Sequence, residues 1–188
     1  MEGIFLQMQG VELSILYALQ GLHSSWLDPV MIFFTTLGDN GIIWILIALF
    51  CISFKKSRKC GVLMLITMLL CLIVGNGIIK NLVARPRPFQ LLEGEISLII
   101  PPPSEYSFPS GHTMHGFGTA TMIFLHNRKA GIAALLGAAV IAFSRMYLFV
   151  HFPTDIIGGL IVGVFAAVLV YIAADKALAG KEKLLNRC

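Results

Sequence analysis

Three short polar strings carry the residues that could do chemistry: KNLVARPRP at 80–88, PSGH at 109–112 and SRMYLFVHFPTD at 144–155. Their residues include three cations (Lys80, Arg87 and Arg145) beside Arg85, two histidines (His112 and His151) and one carboxylate (Asp155). Two guanidiniums and an ammonium offer fixed positive charge and many N–H donors, which suits the three oxygens of a phosphoryl group. Taken alone, the first string could equally be cations snorkelling at a membrane interface, with Pro86 and Pro88 stopping a helix.

PSGH reads as a helix start, with Ser110 at the N-cap and Gly111 relieving backbone crowding. That is an ordinary structural device, but a helix N-terminus also presents unpaired N–H groups and partial positive charge to an anion. His112 beside it could protonate a leaving alkoxide, a poor leaving group at neutral pH without that proton. In the third string Asp155 follows His151 by four residues, with Pro153 opening a helix between them. A carboxylate so placed can reach back to one ring nitrogen, fix the tautomer and leave the other nitrogen as nucleophile. Arg145 would then neutralise phosphate oxygens as charge moves. The plainer alternative is an interfacial histidine and a first-turn carboxylate that favours the helix dipole.

The elements that must position these residues are membrane helices. The chain is 57% hydrophobic and 13% charged, with a mean hydropathy of +0.84, so it holds more apolar side chains than a soluble core of this length could bury. A bilayer core takes roughly 20 helical residues to cross. Apolar stretches at 4–22, 28–54, 61–83, 113–125, 130–150 and 156–174 are separated by charge, Pro or Gly. The expected fold is therefore an all-α, polytopic membrane helix bundle of about six transmembrane helices. It forms one domain over 1–188, with the motif-bearing core at about 61–175. The first stretch lacks a basic leading region and a small-residue cleavage site, so it reads as a retained helix rather than a signal peptide. TLGDNG at 36–41 places Asp39, Asn40 and two glycines at membrane depth, which predicts a helix break lining a polar cavity.

Basic residues give the orientation. If the spans alternate, Lys55, Lys56, Arg58, Lys59, Arg128, Lys129, Lys176, Lys181, Lys183 and Arg187 share one side, cytoplasmic by the positive-inside rule, and both termini lie there too. The other four cations are Lys80, Arg85, Arg87 and Arg145, all at the opposite ends of the helices and all in the polar strings. The alternation thus brings the three strings together at the extracytoplasmic face, near headgroup depth. The net charge of +4 reflects topology and anchoring to anionic lipid heads, and it gives no support for nucleic-acid binding.

The ordered set K-x6-R-P, P-S-G-H and S-R-x5-H-x3-D resembles the signature of the type 2 phosphatidic acid phosphatase superfamily of membrane lipid phosphatases. The resemblance implies a helical core that removes phosphate through a phosphohistidine intermediate, with no metal and no cofactor. By residue, it implies that His151 attacks phosphorus, Asp155 orients it and His112 protonates the leaving oxygen. Lys80, Arg87, Ser110, Gly111 and Arg145 would hold the phosphate. Arg85 is outside the pattern. The implied partner is a lipid phosphate in the cell membrane: undecaprenyl pyrophosphate, phosphatidylglycerol phosphate or phosphatidic acid. The polyprenyl carrier is slightly favoured, because its pyrophosphate must be trimmed at the outer face. A transporter or lipid-binding membrane protein could use the same cationic site without chemistry, and the pairing of His151 with Asp155 separates the two classes.

The remaining polar residues have plainer expectations. His115, one turn below His112, has two readings, lining the pocket or packing between helices, with packing favoured; His23 and His126 are assigned to the interfaces. Asp39 is a candidate partner for a motif cation. Cys51, Cys60, Cys71 and Cys188 match no zinc spacing and predict no disulfide framework. Gly159 and Gly163 form GxxxG, expected to pack helices within the bundle. Residues 89–108 form an outer loop with acids Glu93, Glu95 and Glu105, whose apolar run at 96–100 is expected to dip into the outer leaflet.

Overall fold

The computed structural model describes residues 2–92 and 94–185, whose regular elements are all helical, with no strand. Glu93, Arg187 and Cys188 lie outside the described residues, as do the side chains of Lys181 and Lys183. The helices are α1 (Glu2–Gln20), α2 (Leu27–Gly38), α3 (Ile42–Ser53), α4 (Arg58–Cys71), α5 (Lys80–Val83), α6 (Gly111–His126), α7 (Arg128–Tyr147) and α8 (Pro153–Leu185). A π-helical stretch, Leu72–Ile79, runs α4 into α5. Such stretches cluster at functional sites, and this one delivers Asn76 and Lys80 to the cavity described below.

The break expected at TLGDNG is a 3₁₀ turn, Asp39–Gly41, between α2 and α3. Asn40 (φ 51°) and Gly41 (φ 69°) both take left-handed backbone, which Asn tolerates and Gly adopts without cost. Among the described residues, four stretches are long and apolar enough to cross a bilayer: Leu27–Ser53, Arg58–Leu91, Arg128–Tyr147 and Pro153–Ala177. These are the second, third, fifth and sixth of the expected spans. The fourth, α6, has 16 residues that include three histidines. It packs against α4, α7 and α8, so its neighbours rather than lipid set what its surface must be. Within α1, Glu12 is only 5% exposed.

The bundle is apolar outside and partly charged inside. Leu82, Phe165 and Phe50 are among many large apolar side chains left exposed, whereas Lys80, Arg87, Arg145, His151 and Asp155 are buried. A hydrocarbon surround accounts for the first set, and enclosure by helices for the second.

Close approach of α8 to α6 fixes the centre. A Cβ on Gly163 would lie 2.3 Å from the Met114 carbonyl oxygen, and one on Gly159 would lie 2.6 Å from that of Ser110. The GxxxG pair therefore seats α8 on α6, as expected. In the outer loop, Ile96, Leu98 and Ile100 are partly buried against core clusters around Leu16, Tyr147, Phe149 and Phe152, while Ile99 stays 40% exposed.

Filling the α6–α8 contact is predicted to destabilise the fold. Gly163→Ala should cost about 1–3 kcal/mol by overpacking. Gly137→Ala, where a Cβ meets nothing within 4 Å, should be neutral. Thermal unfolding in detergent compares the two.

Candidate active site

The third string folds as a tight turn between α7 and α8. Ser144 and Arg145 occupy the last turn of α7, and the chain then reverses through Phe149, whose φ of 59° is unusual for a bulky residue. Complete burial in a cluster with Leu16 and Phe152 holds it there. Pro153 opens α8, where its missing N–H costs nothing, and Asp155 follows in the first turn.

This turn sets His151 Nδ1 3.5 Å from Asp155 Oδ2. The same carboxylate oxygen accepts the Phe152 backbone N–H at 2.8 Å and the Ser107 hydroxyl. On the other side of the ring, Arg87 Nη1 lies 3.2 Å from Nε2. A guanidinium can only donate, so Nε2 accepts and the ring proton sits on Nδ1, facing Asp155. Burial pushes the His151 pKa down to about 3, with Arg87 and Arg145 adding to the shift and Asp155 opposing it. The imidazole is therefore neutral near pH 7, with Nε2 unprotonated.

Lys80, Arg87 and Arg145 are each at most 5% exposed, and they line one cavity of about 570 Å³ with Gly111, His112 and His151. Arg87 is aimed by backbone carbonyls: its Nε donates to Glu105 at 2.6 Å and its Nη1 to Val150 at 2.9 Å. Arg145 Nη1 donates to Thr35 Oγ1 at 2.5 Å, and its buried Nε has no partner among the described residues. A buried donor left unpaired costs about 1–3 kcal/mol, so an anion entering here would be welcomed. Lys80 Nζ meets Glu105 Oε2 at 2.6 Å. The hydrogen bond from Lys80 is the main cause that holds the Glu105 carboxyl below its ordinary range. That carboxylate stands where a phosphate oxygen would approach Lys80.

Of the eight expected site residues, six share the cavity wall. The other two, Ser110 and Asp155, are fully buried behind it. For Asp155 that is the place an orienting carboxylate requires. Ser110 is the N-cap of α6, yet its hydroxyl accepts from Thr113 Oγ1 at 3.0 Å instead of capping the helix. His112 Nε2 pairs with Asp39 Oδ1 at 2.9 Å, so the helix break supplies a partner to the PSGH string. His115 departs from its favoured packing reading: it lines the cavity, with Nε2 unpartnered among the described residues. Its position one turn below His112 puts it on the same helix face.

Sequence reasoning missed Ser107, Thr35 and Glu12. Glu12 carried a usable signal, as the lone acid of the apolar stretch 4–22. Ser107 and Thr35 carried none, since their roles come from the chain's tertiary course. Among the described residues, no three His, Cys, Asp or Glu side chains gather as metal ligands.

The pattern of the PAP2 superfamily matches residues 60–178, which contain all eight expected site residues. The chain belongs to the PAP2 superfamily. This PAP2 chain is 30% identical over 163 residues to the undecaprenyl-diphosphatase BcrC of Bacillus subtilis, covering 86% of this chain and 83% of that protein. It is also 30% identical over 138 residues to an undecaprenyl-diphosphatase of Sulfolobus acidocaldarius. That match covers 73% of this chain and 66% of the relative, just under two thirds of its length. Among solved structures, the transmembrane PAP2 type phosphatidylglycerolphosphate phosphatase from Bacillus subtilis is similar at a TM-score of 0.74 and 27% identity, covering 90% of this chain and 87% of that one.

The cavity should bind inorganic phosphate, measurable by equilibrium dialysis of the detergent-solubilised protein. Arg145→Gln should weaken that binding by about tenfold or more, as expected for loss of a charge-assisted donor. Equal affinity in the variant would remove Arg145 from the anion site.

Proposed function

We propose that this PAP2 protein is a multi-pass membrane phosphatase of lipid phosphates that works through a phosphohistidine intermediate without a metal. The observation that carries this reading is His151, neutral and buried, with Asp155 at one ring nitrogen and Arg87 at the other, on the wall of a cavity lined by three cations. A site for anion binding alone would need the cations but not the dyad.

Lys80, Arg87 and Arg145 hold the phosphoryl oxygens, with the start of α6 at Gly111 adding its N-terminal field. His151 Nε2 attacks phosphorus, and the bond from phosphorus to the lipid oxygen breaks. The electron pair goes to that oxygen, which takes a proton from His112, held in place by Asp39. Asp155 balances the positive charge that the ring gains. Water then attacks phosphorus, His112 accepts the water's proton, and the N–P bond breaks to return the electron pair to Nε2. Ser110 supports this geometry from behind the wall, through its N–H to the Asp155 carbonyl at 3.1 Å.

We place the site at the extracytoplasmic face with both termini cytoplasmic, a reading supported by the distribution of Lys and Arg along the chain. The whole chain acts as one domain. A polyprenyl diphosphate is the favoured substrate class, supported by the names of the two relatives at 30% identity. The solved relative's phosphatidylglycerolphosphate is the nearest competitor.

Purified protein should release inorganic phosphate from a panel of lipid phosphates and diphosphates in excess EDTA, with the polyprenyl diphosphate turned over fastest and orthovanadate inhibiting. His151→Ala should lower turnover by a factor on the order of 10³ or more. Full turnover in that variant would remove the nucleophile assignment, and transport without phosphate release would favour the non-catalytic class.

The pH profile gives a second check. Protonation of His151 removes the nucleophile, and burial holds its pKa near 3 instead of 6.5. Lowering pH through 6.5 should therefore leave the nucleophile active, and the acid limb of kcat/KM that His151 sets should lie below about pH 5. A limb near 6.5 that moves in Asp155→Asn would contradict this.

A further inference from the structure

Behind the dyad lies a second layer of buried charge that the reaction does not touch. Glu12, on α1, is 5% exposed and uses both carboxylate oxygens. Its Oε2 accepts Arg85 Nη2 at 2.6 Å, and its Oε1 accepts the Thr154 backbone N–H at 3.0 Å and the Thr154 hydroxyl at 2.5 Å. Arg85 Nη1 in turn donates to Thr154 Oγ1 at 2.6 Å and to Asp155 Oδ1 at 2.8 Å. The guanidinium lies 3.9 Å above the ring of fully buried Phe152. The Arg85 carbonyl also accepts the Ser107 N–H at 2.8 Å, and the Ser107 hydroxyl donates to Asp155 Oδ2. Arg85 thus holds both oxygens of Asp155, one directly and one through Ser107.

We propose that Glu12 and Arg85 are positioning residues: they extend the dyad into a chain Glu12–Arg85–Asp155–His151 that keeps the ring proton on Nδ1 and leaves Nε2 free. Two physical arguments support this. First, Asp155 Oδ1 has no other hydrogen-bond partner among the described residues. Without Arg85 a buried carboxylate oxygen would be bare, and the group would rotate or take up a proton and lose its hold on Nδ1. Second, the charges must balance. Arg85 alone would cancel Asp155, leaving nothing to offset the positive charge that the ring gains on phosphorylation. Glu12 restores the missing negative charge, so the four-member chain is neutral when the ring is cationic. Only a planar fork can bridge two carboxylates in this way, so lysine would not replace Arg85. The competing reading is a plain clamp that ties α1 to the start of α8.

The kinetic arm of the test rests on the phosphatase reading above, and the spectroscopic arm does not. Histidine-¹⁵N NMR of the full-length protein in detergent reports the tautomer, with the His151 signal assigned by its loss in His151→Gln. Wild type should show Nδ1–H with an unprotonated Nε2. Glu12→Gln and Arg85→Lys should each move that signal towards a mixture of tautomers. Each should also lower kcat by about tenfold or more while KM changes less than about twofold. The double variant should be no slower than the slower single one, because both act through Asp155. An unmoved signal in both variants, or a raised KM with kcat unchanged, overturns the proposal and leaves the clamp. Should a charge variant fail to fold, Thr154→Val removes the bridging hydroxyl with every charge in place and should give the same readouts in smaller degree; no change there also overturns it. If wild type releases phosphate from no lipid, the phosphatase reading fails and the NMR signal alone decides the chain.

Discussion

Three cations buried at one place inside a membrane bundle are the constraint on which the rest of this structure depends. Desolvating Lys80, Arg87 and Arg145 together is costly, and their mutual repulsion adds to that cost. The fold answers with acceptors drawn from distant parts of the chain. Carbonyls of Glu105, Tyr106 and Val150 surround Arg87, Thr35 meets Arg145, and the Glu105 carboxylate meets Lys80. Every one of these contacts joins segments far apart in sequence, so the cationic cavity and the tertiary fold form together. The acceptors are incomplete: Arg145 Nε has no partner among the described residues, and Lys80 is paired with the exposed Glu105 carboxylate. That incompleteness distinguishes a binding cavity from a purely structural ion cluster.

Helix α6 is the pillar against which this is assembled. Its N-terminus sets Gly111 and His112 at the cavity, and α8 can approach it closely only because Gly159 and Gly163 carry no side chain. A Cβ on Gly75 would fall 2.2 Å from Met114 Sδ, so the π-helical stretch that carries Asn76 and leads into Lys80 also needs a glycine to reach α6. Small residues thus let the three polar strings meet at one cavity. The same closeness seats the Ser110 N–H on the Asp155 carbonyl, tying the PSGH string to the turn that holds His151.

Negative charge is divided by position. Asp155 lies behind the His151 ring, fully buried, whereas Asp39 and Glu105 sit at the cavity itself, bonded to His112 and Lys80 respectively. The two cavity carboxylates satisfy His112 and Lys80 until an anion competes for them. Glu12 and Arg85 then link the N-terminal helix to Asp155, which gives α1 a connection to the site that its weak motif content does not advertise.

The sequence by itself determined the helical membrane architecture, because the need to hide backbone polar groups in hydrocarbon leaves few alternatives for so apolar a chain. It also determined which residues could meet. Lys80, Arg87, His112, Arg145, His151 and Asp155 stand in strings whose order and spacing carry the PAP2 signature, and the break at Asp39 was legible from two glycines and an Asn at membrane depth. Tertiary structure alone decided which neighbours complete them. Ser107, Thr35 and Glu12 lie outside the strings or far from them, and a single serine, threonine or glutamate has no periodicity to betray its direction. The placement of Ser110 behind the wall, of His115 on it, and of the 96–100 run against the bundle was likewise set by packing, since local spacing says which face a residue shares but not what that face meets.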